Sequence, residues 1–120
     1  MKLTVEHSEV GANATLITLS GKLLLGPECK ELESLIPSLI TSGRTTLVFD
    51  LSGLAQIDST GMGRFIDTYS RLRKRGGEMR LAGVEGAVKT AFRVTRLDGV
   101  FSFYPTVEEA CRGLRPSEST

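Results

Sequence analysis

The chain has 120 residues, with 15 lysines and arginines against 14 aspartates and glutamates, one histidine, and a formal net charge of +1. That length suits one domain able to bury a core without metal or disulfide staples, and the balanced charge excludes bulk attraction to nucleic acid or anionic lipid. No apolar stretch approaches the roughly 18 residues of a membrane span, and the alternating start Met1-Lys2-Leu3-Thr4-Val5-Glu6-His7 has no apolar signal-peptide region. A cytoplasmic protein without direct membrane insertion is expected.

Leu3 to His7 alternates in polarity and Leu16-Ile17-Thr18-Leu19 is rich in strand formers. Both read as strands, with Gly11-Ala12-Asn13 as the hairpin turn between them. Gly21 to Gly26, bracketed by glycines, has room for a very short strand. Pro27 stands where a first helical residue is favoured, and Leu32, Leu35, Ile36, Leu39 and Ile40 make a helical stripe. Pro37 lacks an N–H and clashes one turn back, so a kink or an early helix end is expected there. Gly43 stops the segment.

The remainder alternates strand and helix. Leu47-Val48-Phe49-Asp50-Leu51 is short, continuous and apolar, the pattern of a buried strand. Thr60 to Arg75 reads as a helix, with Met62, Phe65, Ile66, Tyr69 and Leu72 as its stripe and Gly76-Gly77 as its end. Glu78 to Ala82 is the next strand. Ala87 to Arg96 is a helix with Val88, Ala91, Phe92 and Thr95 on one side, Val100 to Tyr104 a last strand, and Val107 to Leu114 a last helix. This order predicts an α/β fold: an antiparallel N-terminal pair, then parallel strand-helix-strand units in one mixed sheet. The one-sided helices suit a single layer, packed mainly on one face of that sheet. Residues 1–114 make the domain, and Arg115-Pro116-Ser117-Glu118-Ser119-Thr120 a frayed polar tail.

The junction Ile57-Asp58-Ser59-Thr60-Gly61-Met62-Gly63 carries most of the functional information. It joins a core strand to an amphipathic helix, and Asp58, Ser59 and Thr60 are all good helix caps. A hydroxyl held there lies near the positive end of a helix, a favourable place for a phosphate. The bland reading of Ser59 is a cap worth about 1 kcal/mol. A catalytic nucleophile is disfavoured: a nucleophile elbow needs glycine two residues either side of the serine, where this chain has Ile57 and Gly61. A general base is also missing, since the single histidine, His7, falls in an alternating N-terminal strand.

Other chemistries fare worse. No Lys-Ser/Thr follows the glycines, which excludes a P-loop, and no third glycine completes a dinucleotide fingerprint. Asp50 and Asp58 without further ligands more often cap or face water than hold a metal. Cys29 and Cys111 have no C-x-x-C spacing and read as partly buried thiols. Arg71, Arg73, Lys74 and Arg75 sit at a helix C-terminus, where cations complement the dipole; a docking patch for an acidic partner is the lesser reading. Phe101, Phe103 and Tyr104 read as core or core edge.

Taken together, the chain resembles the STAS domain family, and within it the free-standing bacterial anti-sigma-factor antagonists. The resemblance rests on Leu47-Val48-Phe49-Asp50-Leu51, Ile57 to Gly63, Gly76-Gly77-Glu78-Met79, and Ala87-Val88-Lys89 with Phe92, Leu97 and Phe101. Leu19-Ser20-Gly21-Lys22-Leu23 also resembles the family's early Leu-x-Gly-x-Leu signature. It implies partner switching. The unmodified antagonist binds an anti-sigma factor that is also a serine kinase of the histidine-kinase-like ATPase fold, which frees the sigma factor. The kinase then phosphorylates the serine after the aspartate, here Ser59, with Thr60 the alternative acceptor, and a PP2C-type phosphatase resets the switch. Asp58, Ser59, Thr60, Gly61, Met62 and Gly63 would form the partner-binding loop, with no cofactor and no catalytic residue. One position departs from the pattern: many antagonists carry an acidic residue right after Gly-x-Leu, where this chain has Leu24. The alternative implied by the resemblance is a STAS subunit of a larger assembly, such as a lipid-trafficking transporter or a stress-signalling scaffold, that docks a partner without a phosphate cycle.

Overall fold

In the computed structural model, residues 3–26 and 29–114 are described, and they form a five-stranded sheet with helices on both faces. β1 (Thr4–Gly11) and β2 (Ala14–Leu23) pair antiparallel around Ala12-Asn13, with a bulge between Glu9 and Gly11. Gly21 to Leu23 is no separate strand; it is the end of β2. Two register shifts, between Thr18 and Ser20 and between Gly21 and Lys22, let β2 follow β3 (Thr46–Ile57) to the pair Leu23↔Ile57. β3 is therefore six residues longer than the apolar run Leu47 to Leu51 at its C-terminal end.

Pro27 lies outside the described residues, as does 115–120. Helix α1 (Lys30–Thr41) runs through Pro37 without ending there. A proline inside a helix costs about 3 kcal/mol, but each buried aliphatic side chain returns roughly 1.5–3 kcal/mol. Leu32, Ile36 and Ile40 are all buried, on both sides of Pro37, so packing holds the last turn in place. The end is a Schellman turn: Gly43 N–H donates to the Ile40 carbonyl and Arg44 N–H to the Leu39 carbonyl.

The rest follows the predicted alternation with shifted ends. α2 is Ser59–Lys74, β4 Glu78–Ala82 and α3 Gly86–Val94, followed by a 3-10 turn, Leu97–Gly99. β5 is Ser102–Tyr104, shorter than expected because that turn takes up the residues before it, and α4 is Val107–Ala110, one short turn rather than a helix to Leu114. The sheet order is β1-β2-β3-β4-β5, and every pair after the first is parallel.

One register row, Ile17, Phe49, Leu81 and Phe103, crosses four strands and faces the main core. Phe49, Phe65, Phe92 and Phe101 join in successive ring contacts with centroids 5.2 to 5.9 Å apart. This places α1, α2 and α3 on one face. α4 lies on the other: Val107 and Ala110 pack with Leu16, Val48 and Ala82. The helices thus lie mainly on one face, as expected, with α4 as the exception to a single layer. Arg80 fastens α4, donating to the Ala110 carbonyl at 2.8 Å while paired with Glu78. Among the described residues no helix is long and apolar enough to cross a membrane.

Candidate functional site

β3 ends at Ile57, and the chain turns into α2 through a single residue, Asp58, whose backbone is extended (φ −111, ψ −174). Of the three capping residues in the sequence, Asp58 is the one that caps. Its Oδ1 accepts from the Gly61 N–H at 2.9 Å, and its backbone carbonyl accepts the first helical bond from Met62. Its other oxygen, Oδ2, accepts from the Leu25 N–H at 2.9 Å, and the Asp58 N–H donates to the Leu23 carbonyl. One carboxylate thus starts the helix and fastens the loop after β2 beside it. The Gly61 and Leu25 N–H groups hold the Asp58 carboxyl below its ordinary value of 3.8, so it is charged at neutral pH.

Gly61 is required by this closeness. A Cβ there would lie 2.7 Å from Ile57 Cγ1 and 2.7 Å from the Leu23 carbonyl oxygen. The helix start can approach the β2–β3 pair only without a side chain.

With Asp58 as the cap, Ser59 is the first helical residue. It is exposed, and among the described residues its hydroxyl has no hydrogen-bond partner. The bland reading of Ser59 as a cap therefore does not hold. Thr60 and Asp58 are half-buried, Gly63 is exposed, and Gly61 and Met62 are buried. Met62 belongs to the core, so its side chain presents nothing at the surface of this loop.

Two residues join the site that sequence reasoning did not place there. Leu25, tied to Asp58 through its N–H, is 78% exposed. Ile66, assigned to the buried stripe of α2, is 46% exposed instead. At helical spacing Ser59, Gly63 and Ile66 share one face. The signal available for Leu25 was a pair of leucines, Leu24-Leu25, set against Gly26 outside any periodic segment. The clamp itself joins residues 33 apart and leaves no local trace.

The remaining candidates fall elsewhere. His7 is exposed on β1, an edge strand, paired in register with Ile17. Asp50 accepts from the Ser52 N–H and hydroxyl at 3.1 and 2.7 Å. Arg71 pairs with Asp67, Arg73 lies over the Tyr69 ring, and Arg75 donates to the Ile40 carbonyl at the end of α1. Three of the four cations of the basic cluster thus have partners within the fold. Neither cysteine is in a disulfide; Cys29 Sγ donates to the Leu24 carbonyl, and burial pushes the Cys111 thiol up. Among the described residues no three His, Cys, Asp or Glu side chains gather to hold a metal ion.

This geometry can be set beside known proteins. The chain is 27% identical over 100 residues to an anti-sigma-B factor antagonist of Listeria monocytogenes, covering 83% of this chain and 87% of that protein. It is 28% identical over 67 residues to the anti-sigma-B factor antagonist of Staphylococcus aureus, a match that spans 56% of this chain and 62% of the relative's length. Among solved structures, the Bacillus cell fate determinant SpoIIAA in its phosphorylated form has the same fold, with a TM-score of 0.73 at 22% identity, covering 89% of this chain and 96% of that one. A family model for the STAS domain matches residues 4–110, nearly the whole described chain. The chain belongs to the STAS domain family.

Proposed function

We propose that this chain is an anti-sigma-factor antagonist working by phosphorylation-controlled partner switching, with Ser59 as the phosphoacceptor. The observation that carries the reading is the unengaged, exposed hydroxyl of Ser59 at the first position of α2, while Asp58 does the capping. The Listeria and Staphylococcus relatives, both antagonists of an anti-sigma factor, support it, as does a phosphorylated protein of the same fold. The unmodified protein would bind an anti-sigma factor serine kinase of the histidine-kinase-like ATPase fold, and a PP2C-type phosphatase would restore it after modification.

The local physics supplies a switch without a rearrangement. A phosphate on Ser59 adds about −1.5 to −2 charges and three acceptor oxygens. The N-terminus of α2 tolerates that charge, so the fold survives. A partner seated on Leu25, Ser59 and Ile66 would instead meet a buried anion beside the charged Asp58. Losing roughly 3–5 kcal/mol of binding that way lowers affinity by two to three decades or more.

A second reading, a STAS subunit that docks a partner in a larger assembly without a phosphate cycle, is favoured by one observation. Leu24 puts an apolar side chain where the family resemblance leads one to expect acid beside the loop, and the exposed Leu25 follows it. A pull-down from source-cell lysate separates the two, comparing wild type with Ser59→Asp by mass spectrometry. A small kinase-like ATPase retained by wild type and lost with Ser59→Asp is the expected result. Transporter or scaffold subunits retained equally by both proteins would overturn partner switching.

A further inference from the structure

We infer that the cleft between α3 and the C-terminal end of β5 binds a small organic monoanion, an apolar body carrying one carboxylate. The cleft has a volume of about 410 Å³, within the range of roughly 300–1,000 Å³ typical of small-molecule sites. Val84 follows β4 and Tyr104 ends β5, so it opens at the carboxyl ends of parallel strands, where open α/β sheets take their ligands. It lies outside the Asp58–Ser59 junction and shares no lining residue with it.

The floor is apolar. Phe92 is 1% exposed and meets Phe103 edge to face at 5.4 Å, with Val84 beside them. The mouth is cationic. Lys89 and Arg93, one turn apart on α3, both line the cleft, and among the described residues neither has an ion pair or a side-chain hydrogen bond. Asp98 is the acid on the rim, so two cations and one acid leave a single positive charge. One carboxylate matches that charge and suits the planar donor fork of Arg93. A nucleotide would bring several charges to a mouth offering one. The glycine-rich phosphate cradle it would need is also missing, as no glycine lines the cleft.

The test is an amide NMR titration of the whole chain with 2-naphthoate, its neutral counterpart 2-naphthylmethanol, and ATP. Saturable shifts centred on Val84, Phe92 and Phe103 are expected with 2-naphthoate, with at least tenfold weaker binding of the alcohol. Lys89 and Arg93 are exposed, so a Lys89→Gln/Arg93→Gln protein keeps the fold, and its affinity for 2-naphthoate should fall about tenfold. Unsaturable shifts with 2-naphthoate, equal binding of the alcohol, tighter binding of ATP, or an unchanged affinity in the double variant would each overturn the proposal.

Discussion

α2 and α3 both begin at the carboxyl end of a parallel strand, yet their first turns are built differently. At α2 a side chain does the work: Asp58 caps Gly61, fastens Leu25, and lets Gly61 sit against Leu23 and Ile57. At α3 the N-cap, Glu85, makes no side-chain cap hydrogen bond, and Gly86 follows at a φ of 61 with nothing within 4 Å of a Cβ built on it. The pinned start is the one that presents an unengaged hydroxyl. Under the proposed switch a kinase would have to find that hydroxyl in one place, and the added charge would have to stay put to exclude a partner, so a pinned start at α2 has a use that α3 does not need.

The largest effect should appear in binding. Ser59→Asp is expected to keep the wild-type Tm while its affinity for the anti-sigma factor, measured by calorimetry, falls by two to three decades or more. Glu85→Gln, at the other helix start, should leave that affinity unchanged. A loss of equal size from both would erase the contrast between the two starts.

Packing comes next. Gly61→Ala forces a Cβ to within 3 Å of both a side chain and a carbonyl, and should cost roughly 1–3 kcal/mol in urea unfolding. Gly86→Ala has open space but a left-handed backbone, and should cost about 1–2 kcal/mol. The Cβ added at Gly61 presses on Ile57 and Leu23, whereas one at Gly86 meets nothing within 4 Å. Heteronuclear NMR should therefore show altered amide shifts at Leu23, Leu25 and Ile57 for Gly61→Ala only.

Removing the caps gives a smaller difference. Asp58→Ala should lose about 1–2 kcal/mol, whereas Glu85→Ala should stay within roughly 0.5 kcal/mol of wild type. The smallest effect is in pH. The Asp58 carboxyl is held below 3.8 in the folded protein, so its charge contributes stability that is fully present above that value. That contribution is lost as the pH falls through the folded value. The gap in urea midpoint between wild type and Asp58→Asn should be widest near neutrality and narrow as the pH drops below 3.8.

The elements with strong periodicity were legible in the sequence. Glu78–Ala82 has the ends that were expected, and α2 is displaced by a single residue. The junction from Ile57 to Gly63 was also legible as a place, because an apolar strand, a capping string and a helical stripe meet there. What the sequence left open was which of three capping residues caps, since Asp58, Ser59 and Thr60 have nearly equal propensity. The choice of Asp58 follows from the Leu25 N–H, a partner distant in the chain. The long end of β3 was invisible for a similar reason: Ser-Gly is a dipeptide that commonly marks turns, and only pairing with β2, where Gly53 lies opposite Ser20, keeps Ser52-Gly53 extended. The side that α4 covers was not legible, because a one-turn helix with Val107 and Ala110 has too little pattern to say which face it packs on.

Phosphosite mapping of the protein recovered from its source cells tests most directly whether Ser59 is the residue modified. Wild type and Ser59→Ala would be compared by tandem mass spectrometry after phosphatase inhibition. A phosphate on Ser59 in the wild type, and none in Ser59→Ala, is the predicted result. A phosphate that persists in Ser59→Ala, on Thr60 or elsewhere, or a wild-type protein that carries none under any growth condition, would contradict it.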